Sequence, residues 1–294
     1  MRYELAGLTA DKTFAHSLSG LYSQSKRSPA INLPAIARNG EAMRQYEITY
    51  FSFNSEYYTK RLTALVIEPD MLGPETGVML FSHGWGGNRF QHQDKMEYAA
   101  DTFNLVCLSV EFRQSGFEFD PVKGLGSMVP YDLSFYQLID VLNGFRQILA
   151  LKPMVNRQRL FHYGGSQGGH LALLSAIYAP NTFAFVYAAS PNTHLGQDMI
   201  IETGRSFTAS ELAVRDVYLH AERIKCPVFI EHGTADDVVP CDEHTRALET
   251  KLKALGKPVH VDYYEGGGHA LEPITTRLET FKKVAPEPLH TLHR

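Results

Sequence analysis

The stretch Gly164-Gly165-Ser166-Gln167-Gly168 constrains the fold of this chain more than any other. A strand-like run, 159–163, precedes it and an apolar helix-like run, 169–178, follows it. The pentapeptide fits G-x-S-x-G, in which a serine sits on a sharp strand-to-helix turn. Such a turn strains the serine backbone, and side chains on the flanking positions would strike the adjoining strand and helix. Glycine removes those clashes. The turn raises the Ser166 hydroxyl above a sheet edge, at a helix N-terminus where backbone N–H groups are unpaired. Taken alone, the same five residues also suit a plain serine in a glycine-rich βα turn, so the rest of the chain has to supply partners.

The order of elements provides a frame for that turn. Residues 46–53 and 62–69 are β-rich and are separated by a polar link, 54–61, which predicts an antiparallel pair at a sheet edge. From there strands alternate with helices. Strands are expected at 78–81, 105–112, 159–163, 183–188, 228–231 and 259–264. Helices are expected at 90–102, 131–151, 169–179, 242–255 and 274–284. In the second of these, Phe135, Leu138, Val141, Leu142, Phe145 and Ile148 recur at helical spacing. Alternation of this kind predicts an α/β fold with a mostly parallel central sheet and helices on both faces. Residues 191–222 break the rhythm. They are polar, helical in part (209–220), and expected to form a small lid insertion above the strand ends. One domain over 46–285 is expected, with an N-terminal extension at 1–45 and a C-terminal tail at 286–294.

Composition narrows the function classes. At 294 residues, 44% hydrophobic and 20% charged, the chain is that of an ordinary globular protein. A net charge of −4 and the lack of a dense Lys/Arg run argue against a nucleic-acid partner. No apolar run reaches the roughly 18 residues of a membrane helix, and residues 1–20 do not have the pattern of a secretory signal. The three cysteines, Cys107, Cys226 and Cys241, form no CxxC pair, which fits reduced thiols in a cytoplasmic protein. With no GxGxxG, P-loop or HExxH, neither a cofactor nor a metal is expected.

A serine hydroxyl is a weak nucleophile that needs a base within reach and a carboxylate to orient that base. After a serine of this kind, the expected chain order is acid, then histidine. His232-Gly233-Thr234-Ala235-Asp236-Asp237-Val238-Val239-Pro240 follows a strand directly, so Asp236 is the candidate acid and Asp237 its competitor. Gly266-Gly267-Gly268-His269 ends the last strand, and His269 is the candidate base among 13 histidines. Two N–H groups should bind the developing oxyanion. One belongs to Gln167, the residue after the serine. The other is expected from the loop His83-Gly84-Trp85-Gly86-Gly87, at Trp85, whose ring also suits a pocket wall. Arg113 is read as a structural salt-bridge residue and His170 as a packed helix residue.

At this point the chain resembles the α/β-hydrolase superfamily over roughly 46–284. The oxyanion loop, the elbow, the His-Gly-x-x-Asp-x-x-Val-Pro acid loop and the Gly-His base stand in that superfamily's order. Within it, Gly164-Gly165-Ser166-Gln167-Gly168-Gly169 and the run 216–228 resemble the acetyl xylan esterase and cephalosporin C deacetylase family. Arg113 falls where that family has an arginine, although Ala270 follows the histidine where glutamate is common. The same motifs resemble the catalytic domain of prolyl oligopeptidase-like enzymes. The resemblance implies a serine hydrolase without a cofactor, acting on a small-molecule carboxylic ester, with a deacetylase as one form. A serine peptidase with the same triad and a non-catalytic binding protein on this fold are the alternatives. Only about 75 residues precede the first central strand, fewer than the four or more blades of a propeller need, and this leans toward the esterase.

Overall fold

A computed structural model describes residues 43–55, 58–114, 130–285 and 289. Of the expected extension only 43–45 fall among these, and of the expected tail only 285 and Leu289 border or enter them. In chain order the elements are β1 (Arg44–Ser55), β2 (Tyr58–Glu68), β3 (Gly77–Ser82), α1 (Gln93–Phe103), β4 (Leu105–Glu111), α2 (Phe135–Leu151), β5 (Leu160–Gly165) and α3 (Gln167–Tyr178). They continue with β6 (Phe185–Ala189), α4 (Gln197–Glu202), α5 (Ala209–Ala213), β7 (Val228–Gly233), α6 (Ala247–Ala254), β8 (Val259–Tyr264) and α7 (Arg277–Val284).

The strands form one eight-stranded sheet in the order β1-β2-β4-β3-β5-β6-β7-β8. β1, β2 and β4 pair antiparallel, and every pair from β4 to β8 is parallel. The α/β sheet is therefore mixed at one edge and parallel through its centre, as the alternation predicts. The central strands are buried on both faces. Met79, Phe81, Phe161, Tyr163, Phe185 and Tyr187 point to one face and pack against Met96, Ala99 and Phe103 of α1 and Phe281 of α7. On the opposite face His162 of β5 bonds to Ser175 of α3 (Nδ1 to Oγ, 2.9 Å), and Tyr50 of β1 bonds to the Asp140 carbonyl of α2 (2.7 Å). Near-continuous apolar runs are what strands covered on both sides require.

Four boundaries differ from the expectation. The 54–61 link is largely strand: the β1–β2 pairing runs through Phe51↔Arg61 to Ser55↔Tyr58 as a two-stranded ribbon. The helix expected from 131 begins at Phe135. Ser134 and Gln137 close a capping box there, and Leu133 and Ser134 have positive φ, which no helix continues through. The helix expected over 242–255 opens with a π turn, Asp242–Arg246, before α6. The segment 191–222 contains α4, α5 and the start of a 3₁₀ turn, Ala221–Arg223, so its helix is shorter than the expected 209–220. All three cysteines are free and buried. Among the described residues, no helix is long and apolar enough to cross a membrane.

Candidate active site

The parallel strands end at one edge of the sheet, and the candidate residues gather there. Ser166 links β5 to α3 with φ 56° and ψ −121°, a conformation few non-glycine residues adopt. Its N–H donates to the Ala189 carbonyl at the end of β6 (2.7 Å), which holds the turn in place. From 159 to 178 every residue is buried except Ser166. Packing therefore exposes the serine and nothing else of the elbow. Gly168 permits this: a Cβ there would stand 1.9 Å from the Ser82 carbonyl oxygen.

Asp236 and His269 rise from the loops after β7 and β8. The Asp236 side chain is fully buried, while His269 keeps 22% of its side-chain surface. His269 Nδ1 lies 2.8 Å from Asp236 Oδ2. The same oxygen receives His232 Nε2 at 3.0 Å, and Oδ1 accepts the N–H groups of Val238 (2.9 Å) and Val239 (2.8 Å). Burial alone would raise the proton affinity of this carboxyl. The hydrogen bonds from His232, His269 and the Val239 N–H outweigh burial and hold it well below the usual carboxylate range. An ionised acceptor requires a donor on each facing nitrogen. His269 therefore presents Nδ1–H to Asp236 and leaves Nε2 as its free basic nitrogen. His232 Nε2 also faces the Val239 carbonyl (2.9 Å), so it too carries its proton, and its Nδ1 accepts from the Thr245 hydroxyl (2.6 Å). Asp237, the competing acid, is exposed.

The loop after β3 lies against the elbow. A Cβ on Gly84 would sit 3.4 Å from Ser166 Cβ. The Gly84 carbonyl accepts from the Gly87 N–H (3.0 Å) and from His83 Nδ1 (2.8 Å), while the Gly84 N–H donates to Gln91 Oε1 (2.8 Å). His83 is buried against Phe112, rings 3.9 Å apart and stacked, and burial lowers its pKa to about 4. In a planar trans peptide, N–H and C=O point in opposite directions. Pinning the Gly84 carbonyl therefore turns the Trp85 N–H the other way. Neither that N–H nor the Gln167 N–H meets an acceptor among the described residues. The Trp85 ring stacks on Tyr131 (4.7 Å between centroids, 4° between planes).

Further residues brace the site. Arg277 of α7 donates through Nη2 to the His269 carbonyl, which also accepts from the Ser190 hydroxyl (2.9 Å). Arg277 Nη1 lies where a Cβ on Gly165 would come within 2.8 Å. Arg113 forms the expected buried ion pair, through Nη2 and Nε to Asp140 (2.6 and 2.7 Å). His170 is packed, with Nε2–H on the Arg215 carbonyl (2.7 Å), and burial lowers its pKa to about 4. Behind the elbow lies Glu231 of β7, fully buried. Its pKa is pushed up to about 7 by that burial, against the hydroxyls of Thr280 and Tyr187 and the cations Arg277 and Lys95.

Of the five residues expected from sequence, the structure joins Asp236 to His269 and sets the Gly84–Trp85 turn against Ser166, while no hydrogen bond links Ser166 Oγ to His269 among the described residues. The residues that support them were not expected. His232 stands four residues before Asp236 in the same motif, a signal that could have been used. His83, Gln91, Ser190 and Arg277 act through contacts that only the folded chain creates.

Comparison with known proteins agrees with the fold. Residues 128–285 match the prolyl oligopeptidase family and residues 17–192 the acetyl xylan esterase (AXE1) family, each more than half of the chain. An uncharacterised peptidase of Bacillus subtilis (strain 168), YtmA, is 27% identical over 150 residues, which cover 47% of this chain and 58% of that protein. Among solved structures, a putative dipeptidyl aminopeptidase IV from Bacteroides ovatus superposes with a TM-score of 0.68 at 15% identity, over 86% of this chain and 36% of its own. The Pyrococcus horikoshii acylaminoacyl peptidase does so at 0.63 and 16%, over 84% and 39%. The chain therefore spans less than two thirds of each of these relatives, and the structural likeness concerns the fold. With both family matches running through Ser166, this chain belongs to the α/β-hydrolase superfamily of serine hydrolases, in the region shared by the prolyl oligopeptidase and acetyl xylan esterase families.

Proposed function

We propose that this serine hydrolase cleaves small carboxylic esters through a Ser166-His269-Asp236 triad, with short acyl groups such as acetyl as its substrates. The observation that carries the reading is the 2.8 Å bond from His269 to the buried Asp236, and it is supported by Ser166 being the one residue of 159–178 that packing leaves unburied. Ser166 Oγ attacks the carbonyl carbon while His269 Nε2 takes its proton. Asp236 keeps the imidazole in the required tautomer and stabilises the imidazolium. The Trp85 and Gln167 N–H groups receive the oxyanion; each such donor is worth ~10²–10³ in rate. His269 then protonates the leaving alcohol, and water repeats the sequence on the acyl-enzyme. Segment 191–222 covers the pocket for the substrate's acyl or alcohol part.

One observation supports the ester. The acetyl xylan esterase match includes Trp85, Ser166 and Gln167, the whole oxyanion side of the site. A peptidase is the second reading, favoured by the prolyl oligopeptidase match, which includes Ser166, Asp236 and His269. Turnover of p-nitrophenyl acetate against a chromogenic peptide amide separates the two. Higher kcat/KM on the acetate is expected; equal or better efficiency on the amide would overturn the ester assignment.

A further inference from the structure

The two oxyanion donors come from loops far apart in sequence, one after β3 and one after β5. Neither loop bonds the other through these N–H groups. One buried side chain, that of Tyr131, touches both. Tyr131 is fully buried just before α2; its ring lies flat on the Trp85 indole, and its hydroxyl donates to Gln167 Oε1 at 2.8 Å. The far end of the Gln167 amide is held as well, with Nε2 donating to Gln137 Oε1 (2.6 Å). Gln137 Oε1 also caps α2 through the Ser134 N–H (2.8 Å), so the amide is anchored to a helix terminus. Rotation of the Gln167 side chain is therefore blocked from both sides, which fixes the first residue of α3 and the direction of its N–H.

Tyr131 is in turn seated by the insertion. Its N–H donates to the carbonyl of Thr203, at the end of α4 (2.8 Å). Arg215, also within the insertion, donates to the carbonyls of Asp132 (3.0 Å) and Leu133 (2.9 Å) and to Asp132 Oδ1 (3.1 Å). Its guanidinium lies between Phe135 (5.3 Å) and Phe207 (5.0 Å). The segment carrying Tyr131 is thus clamped by 191–222 on one side and holds both oxyanion loops on the other.

From this juxtaposition we infer that Tyr131 is a positioning residue for the reaction: it ties the Trp85 and Gln167 donors into one oxyanion hole and couples that hole to the insertion. It touches neither substrate nor reacting atoms. The inference rests on the oxyanion assignment proposed above. Its chemical consequence is confined to the tetrahedral state, because a carbonyl substrate binds before charge develops on its oxygen.

The test uses Tyr131→Phe, which keeps the stacked ring and removes the hydroxyl, and Tyr131→Leu, which removes both. Displacing an oxyanion donor by a fraction of an ångström costs on the order of 10-fold, and loosening both donors ~10². Tyr131→Phe is expected to lower kcat for p-nitrophenyl acetate about 10-fold per fluorophosphonate-titrated site, with KM within about twofold. The Ki of phenylboronic acid, which forms a tetrahedral adduct on the serine, should rise by the same factor. Tyr131→Leu should lose about ten times more. If Tyr131→Leu does not fold, Tyr131→Phe alone decides. Unchanged kcat and boronate affinity in Tyr131→Phe, with the wild type titrating and binding boronate normally, overturn the inference. So does a loss that appears in KM alone. A wild type that neither titrates nor binds boronate refutes the triad reading instead, and the inference falls with it.

Discussion

Replacing Asp236 by asparagine tests the acid assignment with little change of shape. Asp236 Oδ1 accepts two backbone N–H groups, from Val238 at 2.9 Å and Val239 at 2.8 Å. An asparagine must keep its oxygen there, because turning its NH₂ toward them would set donor against donor. The NH₂ is thereby forced toward Oδ2's partners, His269 Nδ1 and His232 Nε2, both of which donate to the native carboxylate. His232 cannot readily yield, since its Nε2–H also serves the Val239 carbonyl. His269 can, by moving its proton to Nε2, and this tautomer has no lone pair for the Ser166 proton. In a comparable triad that exchange costs ~10⁴ in kcat, about 5 kcal/mol of transition-state stabilisation. Asp236→Asn should therefore lower kcat for p-nitrophenyl acetate by 10³-fold or more, with KM little changed. Asp237→Asn, at an exposed position, should stay within about twofold. Steady-state kinetics on both variants, normalised to folded protein by circular dichroism, decides. A larger loss in Asp237→Asn, or less than a tenfold loss in Asp236→Asn, would refute this reasoning.

Two further outcomes concern stability. Gly168→Ala places a Cβ within 2.7 Å of three backbone atoms, the Ser82 carbonyl carbon and oxygen and the His83 carbonyl oxygen, so β3 and the elbow must part. A loss of ~3 kcal/mol or more in urea unfolding is expected, against less than about 0.5 kcal/mol for Gly73→Ala, which has open space around it; equal effects would contradict the elbow packing. Glu231 has a folded pKa of about 7 against an ordinary 4.5, so the folded state holds a proton that the unfolded chain releases over that interval. Its penalty is absent below about pH 4.5, grows as pH rises through about 7, and reaches roughly 3 kcal/mol at higher pH. The buried histidines, His83 and His170 among them with pKa lowered to about 4, act in the opposite sense over the same window, so Glu231→Gln should make the variant gain more stability than the wild type, or lose less, between pH 5 and pH 8; parallel profiles for variant and wild type would speak against a buried, proton-holding Glu231.

Much of this architecture can be read from local pattern. Strands 78–81 and 259–264 are bounded by turn residues, and the four motifs lie at strand ends because chemistry on this fold needs the one edge where parallel strands terminate. Ser166, Asp236 and His269 each carry a short-range signature, glycines around the serine and before the histidine and His-Gly before the acid. Other features depend on the folded chain. The apolar periodicity of α2 extends back to Tyr131, yet the Ser134–Gln137 capping box stops the helix at Phe135 and frees Tyr131 to reach Trp85. Periodicity records a face and is silent about the cap that cuts it short. Likewise Arg277 reads as an ordinary charge at a helix start, and only the folded return of α7 brings it to the His269 carbonyl. The β1–β2 ribbon outlasts its apolar pattern because backbone pairing needs no buried face.

The central claim is that Ser166 is the nucleophile, and the most direct measurement is labelling with a fluorophosphonate followed by mass spectrometry of the digest. One phosphonyl adduct per chain is predicted, on the peptide containing Ser166, with none on the Ser166→Ala variant. Labelling of Ser166→Ala equal to the native protein, or no labelling of the native protein at all, would contradict the account.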